Sequence, residues 1–219
     1  MARRRAAILM SGRGSNMAAL IAAAQATDYP AEIALVLSNR PDARGLASAR
    51  EAGVATAVID HTHFGKDREA FERALQRELE DRRIDIVCLA GFMRLFTPWF
   101  VSCWQGRMIN IHPALLPAFK GLHTHERALA DGVKIHGATV HFVVPEMDSG
   151  PVIAQGALGV RDDDTADTLA TRVLAIEHRI YPLALRLLAE GRVRLENGRC
   201  RIDGARNCDT VLLVPGTGD

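Results

Sequence analysis

The chain has 219 residues, of which 48% are hydrophobic and 24% charged, and its formal net charge is +1. That length supplies one substantial core, or a core with a small appendage. The near-neutral balance offers no broad field for nucleic acid or an anionic membrane, while a local anion site stays compatible with it. No segment reaches the ~20 apolar residues that span a bilayer. The apolar run after Arg3-Arg4-Arg5 ends at Ser11-Gly12, too soon for a signal peptide. Cys88, Cys103, Cys200 and Cys208 are widely spaced without a CxxC pattern, which argues against a disulfide framework. The expected compartment is the cytoplasm.

Apolar runs alternate with segments of helical period, which predicts an α/β fold around an open, mostly parallel sheet flanked by helices. Residues 6–10 (AAILM) read as a strand, followed by a glycine-rich turn and a helix over about 16–26. A strand at 33–37, a helix at 42–52 closed by Gly53 and a short strand at 54–59 come next. A polar loop carries His61 and His63. Residues 67–82 form an amphipathic helix rich in i,i+4 opposite-charge pairs. Ile84–Ala90 is too apolar for a half-exposed strand and belongs at the sheet centre.

Thr97-Pro98 supplies a cap and a first-turn proline for a short helix. Residues 107–112 form a strand that Pro113 ends, and 114–126, with Pro117 and Gly121, read as a long mobile loop. Strands at 135–144 and 152–160 flank the turn PEMDSGP. The segment opened by Thr165 is a long helix, kinked or broken near Pro182. Asn197-Gly198 marks a small C-terminal β-hairpin. With no repeat or low-complexity linker, the expectation is one domain over 1–193, a hairpin appendage at 194–208 and a tail at 209–219.

Two constellations carry chemistry on the residues alone. Gly12-Arg13-Gly14-Ser15-Asn16 lies between a strand and a helix, where backbone N–H groups and the positive helix end can bind phosphate. A dinucleotide site would want a third glycine where Met17 stands and an acid where Ser38-Asn39 stand, so a nicotinamide cofactor is disfavoured. A plain tight turn is the equal alternative for this motif by itself. In Asn110-Ile111-His112-Pro113, two polar side chains share one strand face about 6–7 Å apart, at the carboxyl end where ligands bind. Asp148, before Ser149-Gly150, reads by itself as a turn residue.

The set GRGSN (12–16), LAGFMRL (89–95), NIHPALLP (110–117), GLHTHERAL (121–129), HGATVHFV (136–143), the Asp148 turn and IEHRIYP (176–182) resembles the phosphoribosylglycinamide formyltransferases. The likeness is collinear over roughly 6–190. It implies a Rossmann-like formyltransferase fold and transfer of a formyl group from 10-formyltetrahydrofolate, as co-substrate, to the amine of glycinamide ribonucleotide in purine biosynthesis. By that resemblance Asn110, His112 and Asp148 are the catalytic trio. Gly14, Ser15, Asn16 and Glu177 hold the ribonucleotide. Arg68, Met93, Arg94, Leu95, Phe96, Asn110, Val144 and Asp148 line the folate site, with His123 nearby. Ala114 and Ser149 depart from the usual Ser and Gly of relatives without removing a catalytic group.

The implied partners are these two small molecules, with no metal, nucleic acid or membrane; a homodimer is left open by the sequence. Rival readings are another folate formyl enzyme, a non-catalytic nucleotide-binding module, and a metal hydrolase built on His112, His123, His125, His136 and His141. The last lacks HExxH, and its histidines fall on different elements.

Overall fold

The computed structural model describes residues 2–205 and 210–214. Seven strands form one sheet in the order β3-β2-β1-β4-β5-β6-β7. These are β1 Arg4–Met10, β2 Ala31–Ser38, β3 Thr56–Val58, β4 Ile86–Leu89, β5 Met108–His112, β6 Ile135–Phe142 and β7 Val152–Gly159. The first five run parallel, and β6 and β7 are antiparallel to their neighbours. The helices are α1 Ser15–Ala24, α2 Gly45–Glu51, α3 Arg68–Asp81, α4 Pro98–Cys103, α5 Thr124–Ala130 and α6 Ala166–Ala189. A separate hairpin joins β8 Val193–Glu196 to β9 Arg199–Ile202 across Asn197-Gly198. The expected appendage over 194–208 and the tail fall partly outside the described residues.

Alternation along each inner strand decides which helix layer it feeds. In β1, Ala6, Ile8 and Met10 pack toward α1 and α6, while Ala7 and Leu9 pack toward α3 and α4. In β4, Ile86 and Cys88 take the first side, and Val87 and Leu89 the second. Both faces are covered, which explains why these strands read as unbroken apolar runs. As expected, the 84–90 run occupies the middle of the sheet as β4.

Helices α3, α4 and α6 begin where a side chain satisfies their first amides. Asp67 accepts the Ala70 N–H at 2.9 Å to start α3, whose Phe71, Leu75 and Leu79 are buried at i, i+4 and i+8. Burial of each such side chain contributes roughly 1.5–3 kcal/mol. Thr97 caps α4, and the buried Glu72 of α3 accepts the Thr97 N–H at 2.7 Å, so one helix fixes the start of the next. Helix α2 begins at Gly45, later than the pattern suggests, because Pro41 and a bidentate Arg40–Asp42 pair hold a turn before it.

Helix α6 runs through Pro182 without a break. Proline removes one N–H and crowds the preceding turn, yet the neighbouring Ile180, Tyr181, Ala184 and Leu185 are all buried in the core, and their packing outweighs the lost bond. Tyr181 is fully buried, and its hydroxyl lies 2.8 Å from the Leu89 carbonyl and 3.2 Å from that of Ile109. That contact ties α6 to the carboxyl end of β4 and the start of β5. Tyr181→Phe is expected to lower the unfolding free energy by about 1 kcal/mol; a denaturant titration with an unchanged midpoint would show that the tie contributes nothing.

Candidate active site

The chain leaves β1 for β2 and β3 on one side and returns to β4 and β5 on the other, so a crevice opens beyond the carboxyl ends of β1 and β4. A cavity of about 430 Å³ sits there, lined by residues 11–16, 39–40, His61 and the stretch after β4. Gly14 ends the turn with φ 81°, and a Cβ at this position would lie 3.1 Å from the Cα of Gly45. Both the left-handed backbone and the close approach therefore demand glycine. Helix α1 has no side-chain cap, so its first amides, at Ser15 and Asn16, remain open to an anion. Arg13, Arg40, Arg94 and His61 line this cavity, and among the described residues no carboxylate does.

Two pairings shape its walls. The buried Ser11 hydroxyl donates to Asn39 Oδ1 at 2.6 Å and accepts the Met93 N–H at 2.9 Å, joining the ends of β1, β2 and β4. Asn16 Nδ2 donates to Glu177 Oε2 at 2.5 Å, and Asn16 Oδ1 is buried with no partner among the described residues. Glu177 is the one charged residue in the buried stripe of α6, and burial raises its carboxyl above the usual range.

Beside this cavity lies a larger cleft of about 950 Å³, and Gly91, Met93 and Arg94 line both. Asn110 and His112 sit on the β5 face that also carries the buried Met108, beyond the end of the α3–α4 layer. Both line the cleft, as their i,i+2 spacing predicts. Asp148 reaches them from the turn between β6 and β7. Its backbone is left-handed, with φ 50°. At Gly150 a Cβ would stand 1.7 Å from the Phe142 carbonyl oxygen, so only glycine lets this turn press against the end of β6.

The carboxylate is then surrounded. Asp148 Oδ2 accepts the Gly121 N–H at 2.9 Å and lies 3.4 Å from His112 Nδ1, while Oδ1 lies 3.7 Å from His141 Nε2. His112 Nε2 is 3.0 Å from the Phe119 carbonyl oxygen, and Asn110 Nδ2 is 3.3 Å from His141 Nε2. The three residues thus meet around one opening, the outcome the β5 pattern required and the sequence could not supply for Asp148.

The apolar wall comes from the stretch after β4. Met93 and Leu95 are exposed at 66% and 64%, while Phe96 stacks between Phe92 and Phe100 at 5.3 and 4.6 Å. Arg68 donates to the Leu95 carbonyl at 2.9 Å, bracing that stretch from the start of α3. Val144 and His123 also line the cleft. The segment 114–126 is more structured than the expected mobile loop. Thr139 donates to the Ala114 carbonyl and accepts the Leu116 N–H, Gln155 donates to the Leu116 carbonyl, and 124–126 already belong to α5. Proline and glycine marked the backbone turns, but the polar residues that hold them lie on β6 and β7, far away in sequence.

Sequence reasoning gave His141 no part in this site and overlooked the cavity residues Ser11, Asn39, Arg40 and His61. A strand alternation places His141 on a face, but its register opposite Asn110 is set by strand pairing. Of the histidines weighed as metal ligands, His112 and His141 flank Asp148, His123 faces Glu126, and the His125 ring packs edge-on against His136. Among the described residues no group of three or more His, Cys, Asp or Glu side chains is arranged to hold a metal ion, and no helix is long and apolar enough to cross a membrane.

Comparison with known proteins gives the family of the chain. The formyl transferase family model matches residues 4–185. The phosphoribosylglycinamide formyltransferase of Escherichia coli K12 is 44% identical over 199 residues, covering 91% of this chain and 93% of that protein. The trifunctional purine biosynthetic protein adenosine-3 of Bos taurus is 49% identical over 196 residues, and there the chain spans 19% of the relative's length. The solved glycinamide ribonucleotide transformylase 1 of Symbiobacterium toebii superposes with a TM-score of 0.88 at 45% identity, covering 91% of this chain and 94% of that one. The chain belongs to the formyl transferase family. Its match to bacterial enzymes of one kind, over nearly their whole length, puts it among the phosphoribosylglycinamide formyltransferases.

The fold also buries histidine beside the cleft. His136 is 1% exposed, neither ring nitrogen has a partner among the described residues, and the Phe119 and His125 rings meet it edge-on. Burial lowers its pKa to about 4, and the same cause lowers His125. An unfolded histidine titrates near 6.5, so between about 6.5 and 4 the unfolded chain binds the additional proton. Stability is fully present above that window and is lost as pH falls through it. The Tm should therefore drop on acidification from pH ~6.5 toward 4, and His136→Leu should shallow that drop. An equally steep drop in the variant would remove His136 from the acid response.

Proposed function

We propose that the chain transfers the formyl group of 10-formyltetrahydrofolate to the amine of glycinamide ribonucleotide by direct attack, without a covalent enzyme intermediate. The observation that carries this reading is the meeting of Asn110, His112 and Asp148 at a cleft that joins an anion-binding turn to an apolar slot. The ribonucleotide phosphate would lie on the amides at Gly14, Ser15 and Asn16, where the α1 end and the basic lining favour negative charge. Glu177, beside Asn16, would meet the polar part of the same substrate. The folate would enter the larger cleft along Met93, Leu95, Phe96 and Val144, with Arg68 and Arg94 at its edge.

A formamide carbonyl is a weak electrophile, and amine attack builds negative charge on its oxygen. Asn110 and His112 would donate hydrogen bonds to that oxygen, and preorganised donors of this kind are the largest single contribution in many acyl transfers. The Asp148 carboxylate beside the imidazole stabilises positive charge on the ring. The Phe119 carbonyl now accepts from His112 Nε2, and the formyl oxygen would take over that acceptor position. Asp148 would then carry the proton lost by the attacking amine, through an ordered water, toward N10 of the folate. The new C–N bond forms, the bond from the formyl carbon to N10 breaks, and tetrahydrofolate leaves with the proton on N10.

A spectrophotometric assay with 10-formyltetrahydrofolate should show donor consumption only when glycinamide ribonucleotide is present. Formate release without the ribonucleotide would indicate a hydrolase instead. Asn110→Ala should lower kcat about a hundredfold or more while leaving folate affinity nearly intact. A large loss of affinity at unchanged kcat would contradict the donor role.

A further inference from the structure

We propose that His141 is a positioning residue for formyl transfer, its Nε2 lone pair holding the Asn110 amide so that the second N–H of that amide faces the cleft. The inference rests on the reading of Asn110 as a donor to the formyl oxygen. A carboxamide can present either its NH2 or its carbonyl oxygen in one direction, and the wrong choice would set oxygen against oxygen in the transition state. Something must decide the flip.

The ring on β6 decides it. His141 pairs directly across the β5–β6 ladder with Asn110 and is 3% exposed. Its Nδ1 lies 2.8 Å from the Phe142 carbonyl oxygen, which can only accept, so Nδ1 carries the hydrogen. Burial lowers the ring's pKa, and a neutral ring protonated at Nδ1 leaves Nε2 as an acceptor. That atom stands 3.3 Å from Asn110 Nδ2, so the amide must turn its NH2 toward His141. One N–H is then held and the other is free for the ligand. Because Nε2 carries no proton, it also offers nothing to Asp148 Oδ1 at 3.7 Å, and the carboxylate stays available to His112 and Gly121.

Two polar substitutions of similar size separate this role from a packing role. The oxygen of a glutamine side chain can occupy the place of the ring Nε2, whereas asparagine reaches only the place of Nδ1. His141→Asn therefore keeps a donor to Phe142 and loses the acceptor for Asn110; His141→Gln keeps the acceptor. Steady-state kinetics should show kcat reduced about tenfold in H141N, the effect of losing one orienting hydrogen bond, with both KM values unchanged and kcat largely restored in H141Q. In an Asn110→Ala background H141N should cost nothing more, since the group it orients is gone. Equal impairment in H141N and H141Q, or full additivity with Asn110→Ala, overturns the inference, as does wild-type kcat in H141N. A wild-type kcat in Asn110→Ala alone would instead overturn the reading beneath it.

Discussion

A carboxylate that is nearly out of water needs partners, since burying an unpaired charge costs several kcal/mol. Asp148, its side chain 11% exposed, finds them on two elements: the His112 ring of β5 and the Gly121 amide of the segment before α5. Satisfying that one charge brings the elements into register around an opening. The left-handed backbone at 148 carries strain of order 1 kcal/mol, and Gly150 makes it tolerable by letting the turn touch the end of β6. Much of the site follows from holding this group between its partners.

The rest of the cleft divides by chemistry. Where the strand order reverses, a glycine turn, uncapped amides and three arginines make a basic cavity suited to phosphate. Past the shared stretch Gly91–Arg94 the walls become apolar, with Met93 and Leu95 exposed and Phe96 stacked into the core. Exposed apolar side chains in a concave wall mark a ligand surface. The trio stands between the two halves, where a reacting atom from each ligand could meet. Tyr181 and Glu177 show α6 serving both purposes, one fixing the strand ends and the other facing Asn16.

The sheet was legible because its inner strands are buried on both faces and announce themselves as apolar runs. The Asn110–His112 pair was legible for the complementary reason: two polar groups on one face of such a run have no place in a core. Asp148 was not, because a turn aspartate is locally ordinary and its meaning comes from Gly150 allowing a contact with β6. His141 was hidden in the same way by strand register. The anchoring of Ala114 and Leu116 by Thr139 and Gln155 was equally out of reach, since those bonds join residues 23 to 39 positions apart. Helix α6 passed through Pro182 because packing on both sides outweighed a local rule. Local chemistry predicts elements, and long-range pairing assembles sites.

The most direct test is a crystal structure with glycinamide ribonucleotide and a folate analogue whose formyl group cannot be transferred. The formyl oxygen should lie within hydrogen-bond reach of Asn110 Nδ2 and a ring nitrogen of His112, with the phosphate on the amides at Gly14–Asn16. A formyl group bound away from both donors, or a phosphate seated elsewhere, would contradict the account.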